Sequence, residues 1–502
     1  MNSGRGKVWL VGAGPGDPGL LTLKGARAIE QCDAIVYDYL ASLAIVDRAP
    51  ADCEKIFVGK RAGAQRLTQD EITALVIELA RAGKRVVRLK GGDVFVFARG
   101  GEEVQALRAA GIPFEVVPGI SSAIAVPAYA GIPVTHRDHN ATFSVSTGHL
   151  DPRTGPTGID YAKLANPQST TIFLMAMANL AGIVGELRKH GLPPATPVAI
   201  VRDGTKPTQE TLVATLETIV AEVERTRFAA PAVVVIGDVV RERESSRWFD
   251  NAPLFGKRVL ITRPLAQADA FAQQVWEAGA EPIVAPTVAL GPPDDERAAA
   301  AAAAHVRDYD WVVFTSRNAV DAFFDLLSAS GKDARALGDA KVAAIGPKTA
   351  LALTQHGIRV DFMPDAHVNE AVAEGLAGRT AAGDRLLLFR AQEARDVLPQ
   401  RLRDAGRVVD VVAGYKTHLI DDPNLAETAD PADIVTFTSA STVRGFVHNV
   451  PDAPAFLARK TVAAIGPITA AAARACGIRV DVVPDEFTVE GLLRALEAGV
   501  TA

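Results

Sequence analysis

The chain of 502 residues is 48% hydrophobic, 22% charged and only 6% aromatic, which excludes disorder and collagen-like structure and predicts about three or four domains of ordinary α/β composition. With 53 Lys and Arg against 59 Asp and Glu, the net charge is −6. No global basic field draws the protein to nucleic acid or an anionic membrane, so an anionic ligand must be met by local arginines. The three cysteines, Cys32, Cys53 and Cys476, have no metal-ligand or redox spacing, which predicts free thiols in a reducing compartment. No stretch reaches about 18 unbroken apolar residues and the N-terminus lacks a signal-peptide pattern, so a cytoplasmic protein without a membrane span is expected.

In chain order, short β-branched runs followed by glycine turns predict strands at Val8–Val11, Ala34–Tyr37, Arg85–Leu89, Thr171–Met175, Ala232–Ile236, Val259–Ile261 and Trp311–Phe314. Ala/Leu/Glu-rich periodic stretches between them predict α/β layers with largely parallel strands. Arg241–Gly256 carries a charge run, serines and a proline and reads as the main linker, with the boundary near residue 250. Beyond it lies an internal repeat. Val313–Val320 (VFTSRNAV) returns as Thr436–Val443 (TFTSASTV), Val342–Ala350 as Val462–Ala470, and His356–Asp365 as Cys476–Asp485. Two copies of one α/β unit, hence two lobes and a cleft, are expected. The run Ala298–Ala304 is expected to be helical.

Val11–Gly25 (VGAGPGDPGLLTLKG) is a glycine-rich loop after a strand, where backbone N–H groups can approach a ligand. Its Gly12-x-Gly14 spacing, with Asp38 ending the next strand, imitates a dinucleotide fingerprint and permits a nicotinamide-dependent oxidoreductase. The third glycine is missing, with Asp17 and Pro18 in its place. Val86–Glu103 places Gly91-Gly92-Asp93 after a strand and Arg99–Glu103 before a helix. The glycines allow positive φ, Asp93 can accept hydrogen bonds, and Glu102 and Glu103 favour a helix N-terminus. Pro118–Ala123, Ala130–Arg137, Ser146–His149, Val201–Gln209 and Pro231–Val240 complete the set. Taken singly, Asp38 reads as a turn cap, Lys60 as a solvated surface lysine and Met175 as core. His136 and His149 read as structural histidines, since no second ligand has suitable spacing, and no metal is expected.

Together these motifs closely resemble those of the uroporphyrinogen-III C-methyltransferases in the tetrapyrrole methylase family, over residues 6–245. The resemblance implies two α/β subdomains with S-adenosylmethionine in the cleft between them, and a homodimer. The implied reaction adds two methyl groups to uroporphyrinogen III, at C2 and C7, giving precorrin-2 on the branch to sirohaem and cobalamin. It places donor-binding positions at Pro15, Gly91, Gly92, Asp93, Val96, Ser121, Ser122, Met175 and Gly204, a proton acceptor at Asp38 and a proton donor at Lys60. Arg61, Arg88, Arg99 and Arg137 are candidates for the substrate carboxylates. Val94 stands where the family has proline, Ala98 and Ala176 where it has glycine, and Gln65 where histidine is common. These departures bear on loop shape more than on charge.

In the second half, Gly256–Leu290 reads as strand, turn, amphipathic helix and strand. Both repeat copies end a strand on Phe-Thr-Ser before a helix, so Thr315, Ser316, Thr438 and Ser439 stand where hydroxyls and helix N–H groups converge. Capping and carboxylate binding are compatible there. Ile345-Gly346-Pro347 and Ile465-Gly466-Pro467 repeat a helix start with proline in the first turn. With ITRP and AGYKT, these features resemble the uroporphyrinogen-III synthases over residues 256–500. That resemblance implies two lobes, 289–412 and 256–288 plus 415–502, no cofactor, and hydroxymethylbilane as substrate, closed with inversion of its last ring. Tyr415 matches the family's tyrosine near the departing hydroxyl, or packs the hinge. The expectation is a bifunctional enzyme of small-molecule tetrapyrroles, divided into 1–245, a linker 246–255 and 256–502. The competing reading keeps the methyltransferase and makes the two-lobed half a non-catalytic ligand-binding module.

Overall fold

A computed structural model describes residues 6–59, 67–149, 158–366, 368–394 and 396–500. They gather into two compact units. The first takes the chain up to Lys257 together with Val275–Glu281, and the second takes Arg258–Gln274 and Pro282–Gly499.

The first unit opens with a five-stranded sheet in the order Glu54–Phe57, Ala34–Tyr37, Arg85–Lys90, Lys7–Gly12, Phe114–Val117, parallel throughout. Its inner strands are buried on both faces, as a parallel sheet between helices requires. Val11, Ile35, Val87 and Leu89 meet Ala28 and Ile29 of the helix Leu23–Ile29 on one face. Val8, Leu10, Val36 and Val86 meet Ile72, Val76 and Ala80 of the helix Gln69–Arg81 on the other. A Thr68/Glu71 capping box starts that second helix. The parallel register aligns Gly12 with Lys90, Tyr37 with Leu89 and Val11 with Val117, so the loops beginning at residues 13, 38, 91 and 118 leave one edge together.

The second sheet runs Thr142–Thr147, Ser169–Leu174, Ala232–Ile236, Pro197–Arg202, Glu210–Thr215. Here the expectation of largely parallel strands fails, because only the first pair is parallel. The connection from Arg202 to Glu210 is too short for a crossover, which forces an antiparallel return. Ala123 and Val126 of the helix Ser122–Tyr129 pack on one face of this sheet, and Ile183 and Leu187 of the helix Leu180–Lys189 on the other.

The segment read as a linker is folded rather than open. A 3-10 turn, Asp238–Glu242, leads into a short helix, Arg243–Ser246. Phe249 and Leu254 are buried, and the Leu254 N–H donates to the Ala278 carbonyl at 3.1 Å. The Phe249 ring lies 4.8 Å from that of Tyr129. Arg243, part of the charge run that reads as a linker, is buried against the Ala130 carbonyl and Asp250. Paired charges explain the misreading, since a sequence shows charge without its partner.

The second unit holds two sheets. One runs Glu281–Val284, Arg258–Ile261, Ile434–Phe437, Thr461–Ala464, and the other Val288–Gly291, Val408–Leu419, Arg385–Ala391, Trp311–Phe314, Lys341–Ala344. The repeat is structural. Trp311–Phe314, Arg317–Ala329, Lys341–Ala344 and Pro347–Gln355 recur as Ile434–Phe437, Ala440–Asn449, Thr461–Ala464 and Pro467–Ala475, alternating strand and helix. It extends to single hydrogen bonds: Asp361 accepts from the Val342 N–H at 2.8 Å and Asp481 from the Val462 N–H at 2.9 Å. The alanine run forms the helix Glu296–Ala304.

All three cysteines are free, with the Cys32 and Cys53 sulfurs 3.4 Å apart and both thiols pushed up by burial. Among the described residues, no helix is long and apolar enough to cross a membrane.

Candidate functional site

The carboxyl edge of the first sheet is a junction built for backbone. A Cβ on Gly12 would lie 2.5 Å from the Gly119 nitrogen, and one on Gly119 would lie 2.7 Å from the Gly12 Cα. One on Gly91 would meet the Leu40 Cβ at 2.6 Å. Gly14 and Gly92 exchange backbone hydrogen bonds at 3.2 and 2.7 Å, both at positive φ. Asp93 locks this junction through both carboxylate oxygens, accepting from the Phe95 N–H at 2.8 Å and the Gly119 N–H at 3.1 Å. Its first task is therefore loop geometry. Ser121 caps the helix that Ser122 begins.

Among the described residues, six non-glycine residues hold positive φ: Phe97, Arg99, Met175, Asp203, Thr205 and Arg227. Arg227 ends a helix in the ordinary left-handed way. Phe97, Arg99, Asp203 and Thr205 lie in loops singled out by the motifs, and Met175 lies just past the strand it is expected to end. Each such conformation costs about 1–3 kcal/mol and persists where the surroundings impose it, typically at ligand clamps. Met175, expected as core on its own merits, is half exposed just beyond the strand Ser169–Leu174.

Loops from both sheets meet here. The Asp17 N–H donates to Thr205 Oγ1 at 3.0 Å, and the Tyr129 hydroxyl donates to Asp17 Oδ2 at 2.6 Å. Burial and that carboxylate push the Tyr129 hydroxyl well above its ordinary range. A Cβ on Gly204 would strike Val126. Pro15 is half-buried and Val96 is exposed along the same rim. Ala176 is fully buried, and its Cα and Cβ occupy the space that a Cβ on Gly148 would need, so Gly148 accommodates that departure. Val94 is likewise fully buried. The dinucleotide reading loses its geometric basis. A 3-10 turn, Pro18–Leu20, follows the glycines, and the helix starts only at Leu23, so its N-terminus does not directly follow them.

Asp38 stands over a buried charge network. Oδ1 accepts from the Leu40 N–H at 3.1 Å, the expected turn cap, while Oδ2 meets Arg88 Nη2 at 3.4 Å. Arg88 is held by Glu103 Oε1 at 3.3 Å, which also accepts from Lys90 Nζ at 3.0 Å and Gln69 Nε2 at 2.7 Å. Arg88, Lys90 and Glu103 are all at most 4% exposed. Two cations and two carboxylates balance, without which burial would be prohibitive. Burial lowers the Lys90 ammonium from its ordinary value. Arg88 is thus committed inside the protein, where it braces Asp38 and is not offered to a ligand.

Of the other candidates, Lys60, Arg61 and Gln65 lie outside the described residues. Arg99 is exposed and paired with Glu102 at 2.9 Å, and Arg137 and His149 are exposed.

In the second unit, Ser316 caps the helix Arg317–Ala329 by accepting the Ala319 N–H at 3.1 Å, and its Oγ lies 3.1 Å from the Tyr415 hydroxyl. Tyr415 follows a register shift opposite Arg390 and Ala391, and a Cβ on the preceding Gly414 would strike the Phe389 ring. Glycine therefore sets the tyrosine's approach. Thr315 and Thr438 are half-buried at the ends of their strands. Ser439 forms a capping box with Thr442 and a 2.8 Å contact with Ser441, so its recorded hydrogen bonds stay within its own helix start. The structure joins Tyr415 to Ser316 and records no such bond from Thr438 or Ser439 to either. Arg263 Nε is buried without a hydrogen-bond partner, and burial lowers the guanidinium.

Sequence reasoning missed Glu103, Tyr129 and Thr205. Glu103 had a signal, because Gly100, Glu103 and Leu107 share one buried helix face at 3.6-residue spacing. Thr205 stands inside the Val201–Gln209 motif without a role of its own, and Tyr129 had no signal.

Residues 7–220 match the family model described as Tetrapyrrole (Corrin/Porphyrin) Methylases, and residues 269–494 the model described as Uroporphyrinogen-III synthase HemD. The chain is 37% identical over 499 residues to the porphyrin biosynthesis protein HemD of Ruminiclostridium josui, covering 98% of each. It is 52% identical over 240 residues to the S-adenosyl-L-methionine-dependent uroporphyrinogen III methyltransferase of Methanosarcina barkeri, covering 48% of this chain and 94% of that one. Among solved structures, the uroporphyrin-III C-methyl transferase from Thermus thermophilus complexed with S-adenyl homocysteine is similar at 39% identity and a TM-score of 0.41, covering 47% of this chain and 99% of that one.

Proposed function

Because the chain belongs to the tetrapyrrole methylases through its first half and to the uroporphyrinogen-III synthases through its second, we propose that it makes uroporphyrinogen III from hydroxymethylbilane and methylates it at C2 and C7, giving precorrin-2. The observation that carries the methylase assignment is the glycine junction, where Gly12, Gly91 and Gly119 leave no room for side chains, together with five non-glycine residues at positive φ in the loops beyond the strands of both sheets. These residues fit S-adenosylmethionine, with Gly91, Gly92, Met175 and Gly204 lining its place. When bound, that donor supplies an electrophilic sulfonium methyl. The chain's part is to position and to move a proton. Asp38, braced by Arg88, accepts the proton that the methylated ring carbon must lose. Lys60, Arg61, Arg99 and Arg137 are assigned to proton donation and to the substrate carboxylates.

In the second half, the Tyr415 hydroxyl assists departure of water from hydroxymethylbilane, with Ser316 orienting it. Thr315, Thr438 and Ser439 offer hydroxyls and helix N–H groups to substrate carboxylates. Holding the chain folded for ring inversion is the catalytic burden, since spontaneous closure gives the uninverted isomer. A homodimer through the methylase half, the division near residue 250 and a cytoplasmic location belong to the same proposal. The test incubates the full chain with hydroxymethylbilane and S-adenosylmethionine and identifies the product by mass and isomer. A doubly methylated type III product is expected. The uninverted isomer alone would overturn the synthase assignment, and an unmethylated type III product the methylase one.

A further inference from the structure

The turn between the helix Ser122–Tyr129 and the strand Thr142–Thr147 is held from within. Asn140 Oδ1 accepts the His136 N–H at 3.0 Å, and Asn140 Nδ2 donates to the Val134 carbonyl, the Thr142 carbonyl and Thr170 Oγ1 at 3.1, 2.8 and 2.9 Å. This fixes His136 and His139 on one side, with ring centroids 5.0 Å apart. Glu242, about a hundred residues on, closes the 3-10 turn Asp238–Glu242 and reaches His139 Nε2 with Oε1 at 2.6 Å. The side chains of His136, His139 and Glu242 are 34%, 21% and 26% exposed, so each is held by protein yet open to solvent.

One donor atom from each of the three lies within 4.8 Å of the others. Some point is then within about 2.8 Å of all three, against metal–ligand distances of about 2.1 Å, so modest side-chain rotation closes the set. We infer that His136, His139 and Glu242, none of them assigned to either proposed reaction, form a binding site for a zinc-class divalent cation. Two imidazoles and one carboxylate are the donors that such borderline ions prefer over calcium or magnesium. Binding releases to solvent the proton held between His139 Nε2 and Glu242 Oε1 and puts the metal in its place. His136 Nδ1 accepts the Asp138 N–H at 3.2 Å, which leaves Nε2 as its outward nitrogen; binding the ion through Nε2 moves the proton to Nδ1, releases that backbone contact and turns Nδ1 toward Asp138 Oδ2, 4.0 Å away. Remaining coordination positions face solvent and take water. The ion would pin the 136–139 turn to the segment that follows the strand Ala232–Ile236.

The test is calorimetric titration of the chelator-stripped full chain with zinc alone, repeated with His139→Gln and Glu242→Gln. The native chain should bind one equivalent at this site, and each variant should bind it about tenfold or more weakly. Cobalt in place of zinc should give visible absorption bands of low-symmetry nitrogen and oxygen coordination, lost in Glu242→Gln. Absence of binding up to millimolar zinc would overturn the site. So would binding unchanged in both variants, which would place the ion on the cysteines or other histidines.

Discussion

Tyr415 and Ser316, 99 residues apart in sequence, bring their hydroxyl oxygens to 3.1 Å. Ser316 Oγ already accepts a helix N–H, so the pair couples a helix start to the strand that carries the tyrosine. Tyr415→Phe should slow ring closure by about tenfold or more while changing stability by about 1 kcal/mol or less. Ser316→Ala removes a cap as well, and should cost about 1 kcal/mol with a smaller loss of rate. Rate, isomer ratio and denaturation midpoint separate the two effects. An unchanged rate in Tyr415→Phe would leave the tyrosine a packing residue.

Asp38→Asn keeps the turn cap through its amide oxygen and removes the base. Methyl transfer should fall by about 10²-fold or more, with donor affinity unchanged by calorimetry. Lost donor affinity would assign Asp38 to binding instead.

Glu103→Gln is nearly isosteric but leaves Arg88 and Lys90 buried with one fewer counter-charge. Removing one partner of such a network should cost about 3–5 kcal/mol in chemical denaturation. A cost below about 1 kcal/mol would mean that the cations reach solvent.

Glu115 gives a pH signature. The Lys24 and Lys7 ammonium groups hold its carboxyl down to about 2. A depressed folded value means stabilisation that is present above the unfolded carboxylate range and is lost as pH falls toward 2. Being a surface cluster, it should contribute about 1 kcal/mol or less at neutral pH. Glu115→Gln should be slightly less stable than the native chain at pH 7 and equal to it near pH 2. A gap that persists at low pH would point to packing instead.

Arg243, Phe249 and Leu254 bear on where the chain can be cut. A fragment ending at residue 245 strips Arg243 of Asp250 and removes two buried apolar side chains. It should be less stable by about 3 kcal/mol or more than a fragment ending at Lys257, as read by urea midpoints. Equal midpoints would show the segment to be a bystander.

Much of the α/β class is legible because strands buried on both faces, such as Ala34–Tyr37 and Trp311–Phe314, write themselves as apolar runs, and because the repeat preserves IGP and FTS at matching helix starts. The antiparallel second sheet was not, since Ala232–Ile236 reads the same in either direction. In the site, glycines and the Asp38 turn were visible locally. The Arg88–Glu103–Lys90 network and the Tyr129–Asp17–Thr205 bridge exist only through long-range pairing. His136 is weighed by spacing along the chain and His139 draws no notice, and spacing says nothing of Glu242 arriving from a 3-10 turn about a hundred residues on.

The two connections between the sheets of the second unit are not independent cords. Val288–Gly291 runs antiparallel to the far end of Val408–Leu419, with Val288 opposite Leu419 and Gly291 opposite Lys416. A hydrogen-bonded ribbon bends readily across its flat face and resists shear in its own plane. The two sheets are therefore expected to move against each other along one soft coordinate, like a leaf spring. Tyr415 sits one residue from the end of that ribbon, beside Lys416, so the hydroxyl that touches Ser316 is expected to shift little when the ribbon bends.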